Sequence, residues 1–421
     1  MAPIIYNLFP RLAGTIDKWL DHARRARDLG FDWLYLNPFT QPGFSGSLYA
    51  VQEHRKVCAD FLPRRSSKDG IAEIRRFLEG VRKLGLRPAM DLVINHTAFD
   101  CPLVEAHPDW FVRDEQGGIV HPSAIDPADA RKVTVWGDLA EVDNAHSPDI
   151  DGLWDFWREL VHFWVDLGFC GFRCDAAYKV PALLWRMLVD EAREVEPESV
   201  FFAETLGCRI EEVRALQGAG LDYLFNSSKY WMFDAPWAIE QHELFGALAP
   251  SISFPESHDT PRLAAECNGN EAVLRQRYLF AALFSEGLLM PIGYEFGFRN
   301  RLDVVKTRPE DWEKTGIDLS EFIRGVNDLK RRLPLLSQEG HWKALTPFNR
   351  PTIVLEKTGE QRLRLLVLVN KDWNASQSIE LVGLPVQPGS RLGRLDGQGR
   401  FRDQAVSSRL DLGPAEIALV Y

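Results

Sequence analysis

The chain has 421 residues, of which 45% are hydrophobic and 26% charged, a composition typical of a globular protein with a large domain and smaller attached units. Its formal net charge of −11 repels phosphate backbones and anionic lipid, so neither nucleic acid nor a membrane is an expected partner. The cysteines are scattered and lack the spacing of a zinc site or a disulfide framework. The N-terminus does not resemble a secretion signal, and no apolar run is long enough to cross a membrane. Together these features predict a cytoplasmic protein.

In the first two-thirds of the chain, short β-rich runs alternate with amphipathic stretches of helical period. One such stretch puts Ile74, Leu78 and Val81 on a single helix face, and another covers residues 152–167. The strand candidates are residues 3–9, 33–37, 87–95, 171–175, 200–203, 222–226, 251–254 and 288–292. Eight strands alternating with helices predict an α/β fold, a closed (β/α)8 TIM barrel, with an active site at the C-terminal ends of the strands.

Two segments break this rhythm. The connection after the third predicted strand has little helical period and is long enough to form a small subdomain. Beyond residue 336, β runs at residues 352–357, 362–370, 378–384 and 415–421 alternate with Gly, Pro and Asn turns, which predicts an all-β sandwich. The predicted division is a barrel formed by residues 1–95 and 152–336, a third-loop subdomain over residues 96–151 and a C-terminal β-sandwich over residues 337–421.

Four polar clusters follow predicted strands, where the barrel rule locates an active site. A single acid at the end of an apolar strand caps a helix or pairs with an arginine about as often as it serves chemistry. Four clusters in register with the predicted strand ends favour one shared site. They are Asp91-Leu-Val-Ile-Asn95-His96 after the third strand, Gly171-Phe-Arg173-Cys-Asp175 after the fourth, Ala203-Glu204 after the fifth and His258-Asp259 after the seventh.

The order and gaps of these clusters resemble those of the α-amylase family of glycoside hydrolases, family 13. The most specific element is the Gly-Phe-Arg-x-Asp segment that ends at Asp175. The resemblance spans nearly the whole chain and implies activity on α-linked glucose. Three segments, at residues 46–51, 107–111 and 175–181, are more similar to the maltosyltransferases of the family than to its secreted amylases.

Cleavage of a glycosidic bond with retention requires one carboxylate to attack the anomeric carbon and a second carboxyl, about 5–5.5 Å away, to protonate the leaving oxygen. The resemblance assigns these roles to Asp175 and Glu204, and neighbouring barrel strands supply that spacing. Arg173 lies two residues before Asp175 on the same strand, so it points to the same side and is expected to keep Asp175 ionised. Glu204 needs a raised pKa, toward ~6, from apolar surroundings and nearby negative charge.

The resemblance also implies a set of residues that bind the sugar. Asp259 is carried over as the third catalytic carboxylate, which orients sugar hydroxyls and stabilises the oxocarbenium-like transition state. His258 and His96 would donate hydrogen bonds to the same ring, the alternative for each being a structural role at a strand end. Tyr49 would stack on that sugar, and Asp91 belongs to the same substrate-binding set.

Aromatic residues are plentiful, and flat rings pack against the apolar faces of glucose. Most of them are expected in the core. Trp110 in the third loop, and Tyr230 and Trp231 after the sixth predicted strand, are the candidates for further sugar-binding platforms because they lie in loops at the catalytic end.

The sequence departs from the family pattern at its calcium site. Many amylases bind calcium with the asparagine before the histidine of the first region and with a histidine four residues past the nucleophile. Asn95 is present, but Lys179 stands at the second position, and an ammonium group does not ligate calcium. Neither this calcium nor any other metal or cofactor is expected.

The leading interpretation is α-amylase-like hydrolysis of α-1,4 bonds in maltodextrins or starch-like glucans by double displacement. A maltosyltransferase or glucanotransferase would use the same residues with a sugar as acceptor instead of water. A catalytically silent glucan-binding protein is the alternative from another class, which the presence of all three carboxylates disfavours. A metal-dependent barrel hydrolase is disfavoured because no His-x-His pair follows the first strand. In the first three cases the expected partner is an α-glucan oligosaccharide or polysaccharide.

Overall fold

A computed structural model of the chain describes residues 2–64, 70–126 and 129–421. Residues 1 and 65–69 of the predicted barrel range and residues 127–128 of the predicted subdomain lie outside the described residues. Among the residues that are described, no helix has both the length and the apolar character needed to cross a membrane.

The strands up to residue 291 are β1 (Ile4–Leu8), β2 (Trp33–Leu36), β3 (Thr40–Pro42), β4 (Val51–Val57), β5 (Arg87–Leu92), β6 (His96–Ala98), β7 (Ser123–Asp126), β8 (Asp129–Val135), β9 (Leu139–Glu141), β10 (Gly171–Cys174), β11 (Val200–Glu204), β12 (Tyr223–Phe225), β13 (Ser251–Ser253) and β14 (Gly287–Pro291). The strands after that residue are β15 (His341–Ala344), β16 (Thr352–Thr358), β17 (Arg364–Asn370), β18 (Gln377–Glu380), β19 (Arg391–Leu395), β20 (Phe401–Ala405), β21 (Arg409–Leu412) and β22 (Ile417–Val420).

The α-helices are α1 (Pro10–Ala13), α2 (Ile16–Asp28), α3 (Gly70–Lys83), α4 (Pro102–Ala106), α5 (Ile150–Leu167), α6 (Ala182–Val195), α7 (Ile210–Arg214), α8 (Trp237–Phe245), α9 (Leu263–Glu266), α10 (Glu271–Phe284) and α11 (Ser320–Arg332). Short 3-10 helices cover Ala59–Phe61, Pro108–Trp110, Ala177–Lys179, Ser228–Tyr230, Tyr294–Phe296, Pro309–Asp311, Pro334–Ser337 and Glu360–Arg362.

Eight strands close into a parallel barrel in the order β1, β14, β13, β12, β11, β10, β5 and β2, with β2 pairing back to β1. Each of them overlaps one of the eight predicted strands, so the predicted (β/α)8 barrel is confirmed. Parallel pairing requires a crossover between successive strands, and the amphipathic helices supply it.

Helix α5 illustrates how the sequence sets these crossovers. The Asp149 carboxylate caps its first turn by accepting a hydrogen bond from the Gly152 N–H at 3.3 Å, and Gly168, with a φ of 128°, ends it. Trp157 and Trp164 lie on its buried face, seven residues apart and therefore two turns along the same side.

Side chains fill the inside of the barrel. Ile5, Trp33, Phe202 and Leu289 belong to one buried cluster there. Gly171 leaves room for the Trp33 ring, because a Cβ atom at this position would lie 2.5 Å from its Cζ3 atom. Since the interior is packed, a ligand has access only to the strand ends and the loops beyond them.

The segment between β5 and α5 has its own small pairings. Strand β6 pairs with β9, and β7 pairs with β8 as an antiparallel hairpin. The Lys179 ammonium donates to the Ser123 carbonyl oxygen at 2.7 Å, which fastens this hairpin to the loop that follows β10.

The C-terminal part consists of two antiparallel sheets. The larger has the order β15-β16-β17-β22-β19-β20, and the smaller contains β18 and β21. Val354 and Leu368 of the larger sheet share a buried cluster with Ile379 and Leu410 of the smaller one. The β character predicted from residue 337 onward is present, together with four strands, β15, β19, β20 and β21, that the β runs did not predict.

The last turn of α10 joins the barrel to this C-terminal part. The ammonium of Lys330 donates to the carbonyls of Ala282 and Ser285 at 2.8 and 2.9 Å. Lys357 donates to the Leu283 carbonyl at 3.0 Å, and the Trp342 indole N–H donates to the Phe284 carbonyl at 2.8 Å. Carbonyls at the end of a helix have no partner within it, so these three side chains satisfy them.

Candidate active site

The register of three adjacent strands brings the predicted catalytic residues to one level. Arg173 of β10 is paired with Asp91 of β5, and Cys174 is paired with Ala203 of β11. The residues that follow this second pair are Asp175 and Glu204, so they emerge side by side from strands that lie about 4.8 Å apart.

The Arg173 guanidinium is the centre of the site. One terminal nitrogen lies 2.7 Å from Asp91 Oδ1 and 2.7 Å from Asp175 Oδ1. The other lies 3.8 Å from Glu204 Oε2 and 3.6 Å from Asp259 Oδ2. Only 5% of the Arg173 side chain is exposed, so its positive charge acts with little screening by solvent on the carboxyls of Asp91 and Asp175, whereas Asp259 is 49% exposed.

Glu204 has the properties of a proton donor. Burial raises the pKa of Glu204 to about 7; the Arg173 charge opposes this shift, and the charges of Asp175 and Asp259 add to it. Its side chain retains 18% exposure, which leaves the carboxyl open to the cleft. A carboxyl with such a pKa holds a proton through much of the range near neutrality.

The backbone N–H of Ala176 donates to Glu204 Oε2 at 2.8 Å and so fixes the orientation of this carboxyl. Ala176 has φ 40° and ψ 50°, the left-handed region that residues other than glycine rarely adopt. The side chain of Asn95 contributes from the opposite side, donating to the Asp175 carbonyl at 2.8 Å and to its carboxylate at 3.3 Å.

Asp91 is a buried support for Arg173. It accepts hydrogen bonds from the hydroxyls of Tyr35 at 2.5 Å and Tyr49 at 2.6 Å in addition to the arginine. Burial raises the pKa of Asp91 to about 6, although the Arg173 charge opposes the shift. With its oxygens occupied in this way, Asp91 orients the arginine and Tyr49 and is not free to contact a sugar.

Tyr49 and His258 lie edge to edge next to Asp259, with their ring planes nearly parallel. Their rings are 5.6 Å apart with 4° between the planes, and the Tyr49 hydroxyl lies 2.6 Å from His258 Nε2. Burial lowers the pKa of His258 to about 4 even though Asp259 Oδ2 is only 3.1 Å away. The imidazole is therefore neutral near pH 7 and offers hydrogen bonds without charge.

His96 lies on the other side of Tyr49. Its Nε2 is 3.1 Å from the Tyr49 carbonyl oxygen, and burial lowers the pKa of His96. Of the predicted site residues, Asp91, Arg173, Asp175, Glu204, His258, Asp259, Tyr49 and His96 thus form one connected constellation.

Two of the three predicted aromatic platforms are wrong. Trp110 is 4% exposed, stacks on His107 at 3.8 Å and donates its indole N–H to Asp149. Trp231 is fully buried, because it packs on Phe233 and fills the space between the loop after β12 and helix α10. The burial of both tryptophans depends on contacts with segments that are distant in sequence, Asp149 for Trp110 and Phe280 for Trp231.

Tyr230 is the predicted platform that remains exposed. Half of its surface is open to solvent, at 51%, and the Lys229 ammonium lies 4.9 Å from its ring centre. Burial raises the pKa of Tyr230, and the charges of Glu266 and Asp259 add to the shift.

The residues at the family's calcium position do not fit that ion. Calcium takes six to eight oxygen ligands, roughly 2.3–2.6 Å away, and no ammonium. Here the Lys179 ammonium is bonded to the Ser123 carbonyl, and the Asn95 amide N–H group is directed at Asp175. In the described part of the chain, no group of three or more histidine, cysteine or acidic side chains could hold a metal ion.

Sequence reasoning missed several residues of the site, including Tyr35, Ala176 and Arg301, whose guanidinium donates to the Asp259 carbonyl at 3.0 Å. Tyr35 could have been found, because it alternates inward on the second predicted strand close to its C-terminal end. Ala176 acts through its backbone N–H, and Arg301 binds a backbone carbonyl of Asp259. Backbone groups are the same in every residue type, so the sequence does not reveal these contacts.

Comparison with known proteins identifies related enzymes. Residues 4–115 match the family model for the glucanotransferase domain of glycogen debranching enzyme. The α-1,4-glucan:maltose-1-phosphate maltosyltransferase of Burkholderia pseudomallei (strain K96243) is 29% identical over 385 residues, which cover 88% of this chain and 33% of that protein. A maltogenic α-amylase of Bacillus acidopullulyticus is 21% identical over 403 residues, covering 89% of this chain and 65% of that enzyme.

The fold has close structural counterparts as well. The crystal structure of an α-amylase from Lactobacillus plantarum superposes with a TM-score of 0.77 at 19% identity, covering 100% of this chain and 99% of that one. The chain spans about one third of the length of the Burkholderia relative. The chain is therefore similar in sequence to maltosyltransferases and to a maltogenic amylase, and its barrel has the fold of an α-amylase.

Proposed function

We propose that the chain is a retaining, α-amylase-like enzyme that cleaves α-1,4-glucosidic bonds of maltodextrins or starch-like glucans. One observation carries the proposal: Asp175 and Glu204 emerge at one level from adjacent strands and face the same guanidinium, and the pKa of Glu204 is raised to about 7. A nucleophilic carboxylate and a protonated carboxyl are the two groups that retention requires.

The reaction has two displacements. In the first, an Asp175 oxygen forms a bond to the anomeric carbon while the bond from that carbon to the leaving oxygen breaks, and Glu204 transfers its proton to that oxygen. In the second, the Glu204 carboxylate takes a proton from water or from a sugar hydroxyl, whose oxygen bonds to the anomeric carbon as Asp175 departs. Two inversions give net retention, and both carboxyls return to their starting states.

The neighbouring residues bind the sugar that is being transferred. Asp259, 49% exposed and held near Arg173, is available to accept hydrogen bonds from sugar hydroxyls and to stabilise the positive charge of the transition state. His258 and His96 are suited to neutral hydrogen bonds to the same ring. The Tyr49 ring, fixed by its contact with His258, supplies an apolar surface on which that sugar can stack.

A transferase is the second candidate. The Burkholderia relative is named for transfer of maltose from maltose 1-phosphate to a glucan, and its similarity to this chain covers the catalytic strands. The same two displacements serve both reactions, and the acceptor in the second one decides between them. A catalytically silent glucan-binding role is disfavoured, because Asp175, Glu204 and Asp259 are all present and lie around Arg173.

Product analysis tests the proposal. Purified protein is incubated with maltotetraose, pullulan, trehalose, or maltose 1-phosphate with a glucan acceptor, and the products are identified over time. Shorter maltooligosaccharides support hydrolysis, whereas products longer than the substrate at early times support transfer. A fluorinated glucosyl fluoride should form a covalent adduct on Asp175, detected by peptide mass, and D175N is the matched control because it keeps the side-chain size. A complete lack of turnover on all four substrates refutes the enzyme assignment.

Two further properties belong to the proposal. We propose that the enzyme needs no calcium at the family's position, because the Lys179 contact to Ser123 holds the β7–β8 hairpin instead. We also propose that it is cytoplasmic. The support is that all the cysteines are free thiols, which a reducing compartment preserves.

A further inference from the structure

Polar groups of four residues lie close to the Tyr49 hydroxyl. Asp91 Oδ2 and His258 Nε2 are each 2.6 Å from the hydroxyl oxygen, and Asn37 Nδ2 is 3.0 Å away. The Nη1 atom of Arg173 is more distant, at 3.4 Å. A phenolic hydroxyl has one proton to donate and lone pairs that accept, so only some combinations of hydrogen bonds are possible with these neighbours.

The Asn37 amide is a donor to Tyr49. Asn7 Nδ2 lies 3.3 Å from the Tyr35 carbonyl oxygen, which can only accept, so the NH2 group of Asn7 must point there. The same nitrogen donates to Asn37 Oδ1 at 2.7 Å. Because the oxygen of the Asn37 side chain faces Asn7, its NH2 group faces the tyrosine hydroxyl. One lone pair of the Tyr49 oxygen is therefore occupied.

The proton of the Tyr49 hydroxyl is taken by Asp91. Burial raises the pKa of Asp91 only to about 6, so the carboxyl is ionised at about pH 8 and can only accept. Two oxygens 2.6 Å apart need a proton between them, which Tyr49 must supply. The two protons of Arg173 Nη1 are used elsewhere, in 2.7 Å hydrogen bonds to Asp91 Oδ1 and Asp175 Oδ1.

His258 must then keep its own proton on Nε2. Burial lowers the pKa of His258 to about 4, so the imidazole is neutral and has a single N–H. With the Tyr49 proton directed at Asp91, the 2.6 Å contact between Nε2 and the hydroxyl oxygen requires Nε2 to donate. Asp259 Oδ2, 3.1 Å from the same nitrogen, is a second acceptor for this N–H. An unprotonated Nε2 would turn its lone pair toward that carboxylate and repel it.

We propose that Asp91, acting through the Tyr49 hydroxyl, fixes the proton of His258 on Nε2, where it holds Asp259 in position. The inference rests on the proposed function, in which Asp259 stabilises the transition state, and it adds a positioning role for Asp91 and for the Tyr49 hydroxyl. Asp259 has need of such support because its side chain is 49% exposed. The position of a proton is measured without substrate, so this hydrogen-bond path is tested separately from turnover.

Asp91→Asn should reverse the hydrogen-bond path with little change of shape. The new amide oxygen must face Arg173, which only donates, so the amide N–H groups would face the tyrosine hydroxyls. The Tyr49 proton is then free to be donated to His258 Nε2, and the imidazole proton moves to Nδ1. We expect the ratio of the Nδ1–H to the Nε2–H form of His258 to rise about tenfold or more over the wild type, as the effect of one buried hydrogen bond.

Nitrogen NMR of protein labelled in its ten histidines measures this ratio, and the signals of His258 are those missing from His258→Gln. Tyr49→Phe in the Asp91→Asn background should restore the Nε2–H form, because the path to His258 is cut. Tyr35→Phe in that background is the matched control and should leave the ratio reversed, since the Tyr35 hydroxyl bonds to the same Asp91 oxygen, at 2.5 Å, but is not on the path.

Two NMR outcomes overturn the proposal. One is an Asp91→Asn protein with the wild-type ratio, and the other is a Tyr35→Phe variant that restores the Nε2–H form as Tyr49→Phe does. Either result in a protein that cleaves maltotetraose leaves the proposed function standing. A wild-type protein that turns over no glucan refutes the proposed function, and this inference fails with it.

Tyr49→Phe on its own tests the consequence for Asp259. The ring remains available to the sugar, so we expect KM for maltotetraose to change less than about threefold while kcat falls about tenfold. An unchanged kcat would overturn the positioning role of the hydroxyl.

If Asp91→Asn does not fold, neutron diffraction of the deuterium-exchanged wild-type protein locates the protons directly. Deuterium on the Tyr49 oxygen directed at Asp91, together with deuterium on His258 Nε2, is the expected result. Deuterium on His258 Nδ1, or on Tyr49 but directed at His258, would overturn the proposal.

Discussion

The backbone N–H of Ala176 donates to the Glu204 carboxylate at 2.8 Å, so the residue after Asp175 holds the neighbouring carboxyl in position. To do so, Ala176 adopts a left-handed backbone conformation, which costs an L-residue about 1–2 kcal/mol. Local strain of this kind persists only where the surrounding structure imposes it.

Substitution of Ala176 should show how much its left-handed backbone conformation costs in the free energy of unfolding. We expect Ala176→Gly to change the free energy of unfolding by less than about 1 kcal/mol, because relief of strain offsets the greater freedom of glycine in the unfolded chain. Ala176→Val should destabilise by about 2 kcal/mol, because a β-branched residue fits this conformation poorly. Chemical denaturation measures both, and equal stability of the valine variant and the wild type would contradict the strain.

The pH profile should report the proton on Glu204. Since the pKa of Glu204 is raised to about 7, the acid form is present below that pH and is lost above it, and kcat/KM on maltotetraose should fall about tenfold per pH unit on the alkaline side. The Ala176 hydrogen bond lowers this pKa, so Ala176→Val should move the fall to higher pH.

Glu204→Gln provides the matched control for the pH profile. It should lose at least about a thousandfold in activity on maltooligosaccharides but keep much of its activity on α-glucosyl fluoride, whose leaving group needs no proton, with no alkaline fall. Asp175→Asn should lose both activities. An alkaline fall that persists in Glu204→Gln would assign the titration to another group.

Among the site residues that are not carboxylic acids, Arg173 should be the one whose substitution lowers activity and stability most. Arg173→Ala leaves Asp91 and Asp175 without their buried partner, and we expect a loss of at least about a thousandfold in kcat/KM and about 3–5 kcal/mol in the free energy of unfolding. Arg173→Lys should recover little, because one ammonium group cannot reach carboxyls on both sides.

Arg186→Ala is the control for Arg173. The Arg186 ion pair with Asp190 has a 3.0 Å contact, but both side chains are 55% exposed, so its loss should change stability by less than about 0.5 kcal/mol. Steady-state kinetics and thermal unfolding of both variants make the comparison. A near-normal Arg173→Ala enzyme would refute the central place of this guanidinium.

Metal removal should have no effect on this protein. We expect a chelator to leave both the thermal midpoint and the activity unchanged, whereas Lys179→Met should destabilise by no more than about 1 kcal/mol, because its charged hydrogen bond to Ser123 is exposed to solvent. Added calcium should not restore the variant. A thermal midpoint that falls with chelator and recovers with calcium would refute this account.

The adjacent residues Tyr230 and Trp231 should behave in opposite ways. Trp231→Ala should cost about 3–5 kcal/mol of stability, because it empties a large buried site. Tyr230→Ala removes an exposed ring, so stability should change little while KM for maltooligosaccharides rises. Unfolding curves and KM values measured side by side test this. Equal losses of stability in the two variants would mean that the Tyr230 ring also contributes to packing in the core.

The sequence predicted the barrel and the polar constellation for a common reason. Strand periodicity locates where each strand ends, and the barrel rule turns those ends into neighbours, which is why Asp91, Arg173 and Glu204 were expected together. Burial of single side chains depends on contacts between distant segments. Trp231 packs against Phe280 of α10, far along the chain, so its local sequence could not reveal its position.

The C-terminal strands were harder to predict. Strands β19 to β21 are short, carry many charged residues and lie close to turns, so their alternation is weak, whereas β16 and β17 are long and mostly buried. Backbone contacts such as the one between Arg301 and the Asp259 carbonyl leave no trace in residue type at the acceptor position.

The end of helix α10 has a practical bearing on how this protein can be divided into shorter pieces. Its terminal carbonyls are capped partly by Lys357 and Trp342, which belong to strands of the C-terminal sheet. A gene shortened after residue 336 would remove both donors and expose to water the face of Phe284 that Trp342 covers. We therefore expect the two regions to unfold together, and the barrel without its C-terminal sheets to be prone to aggregation.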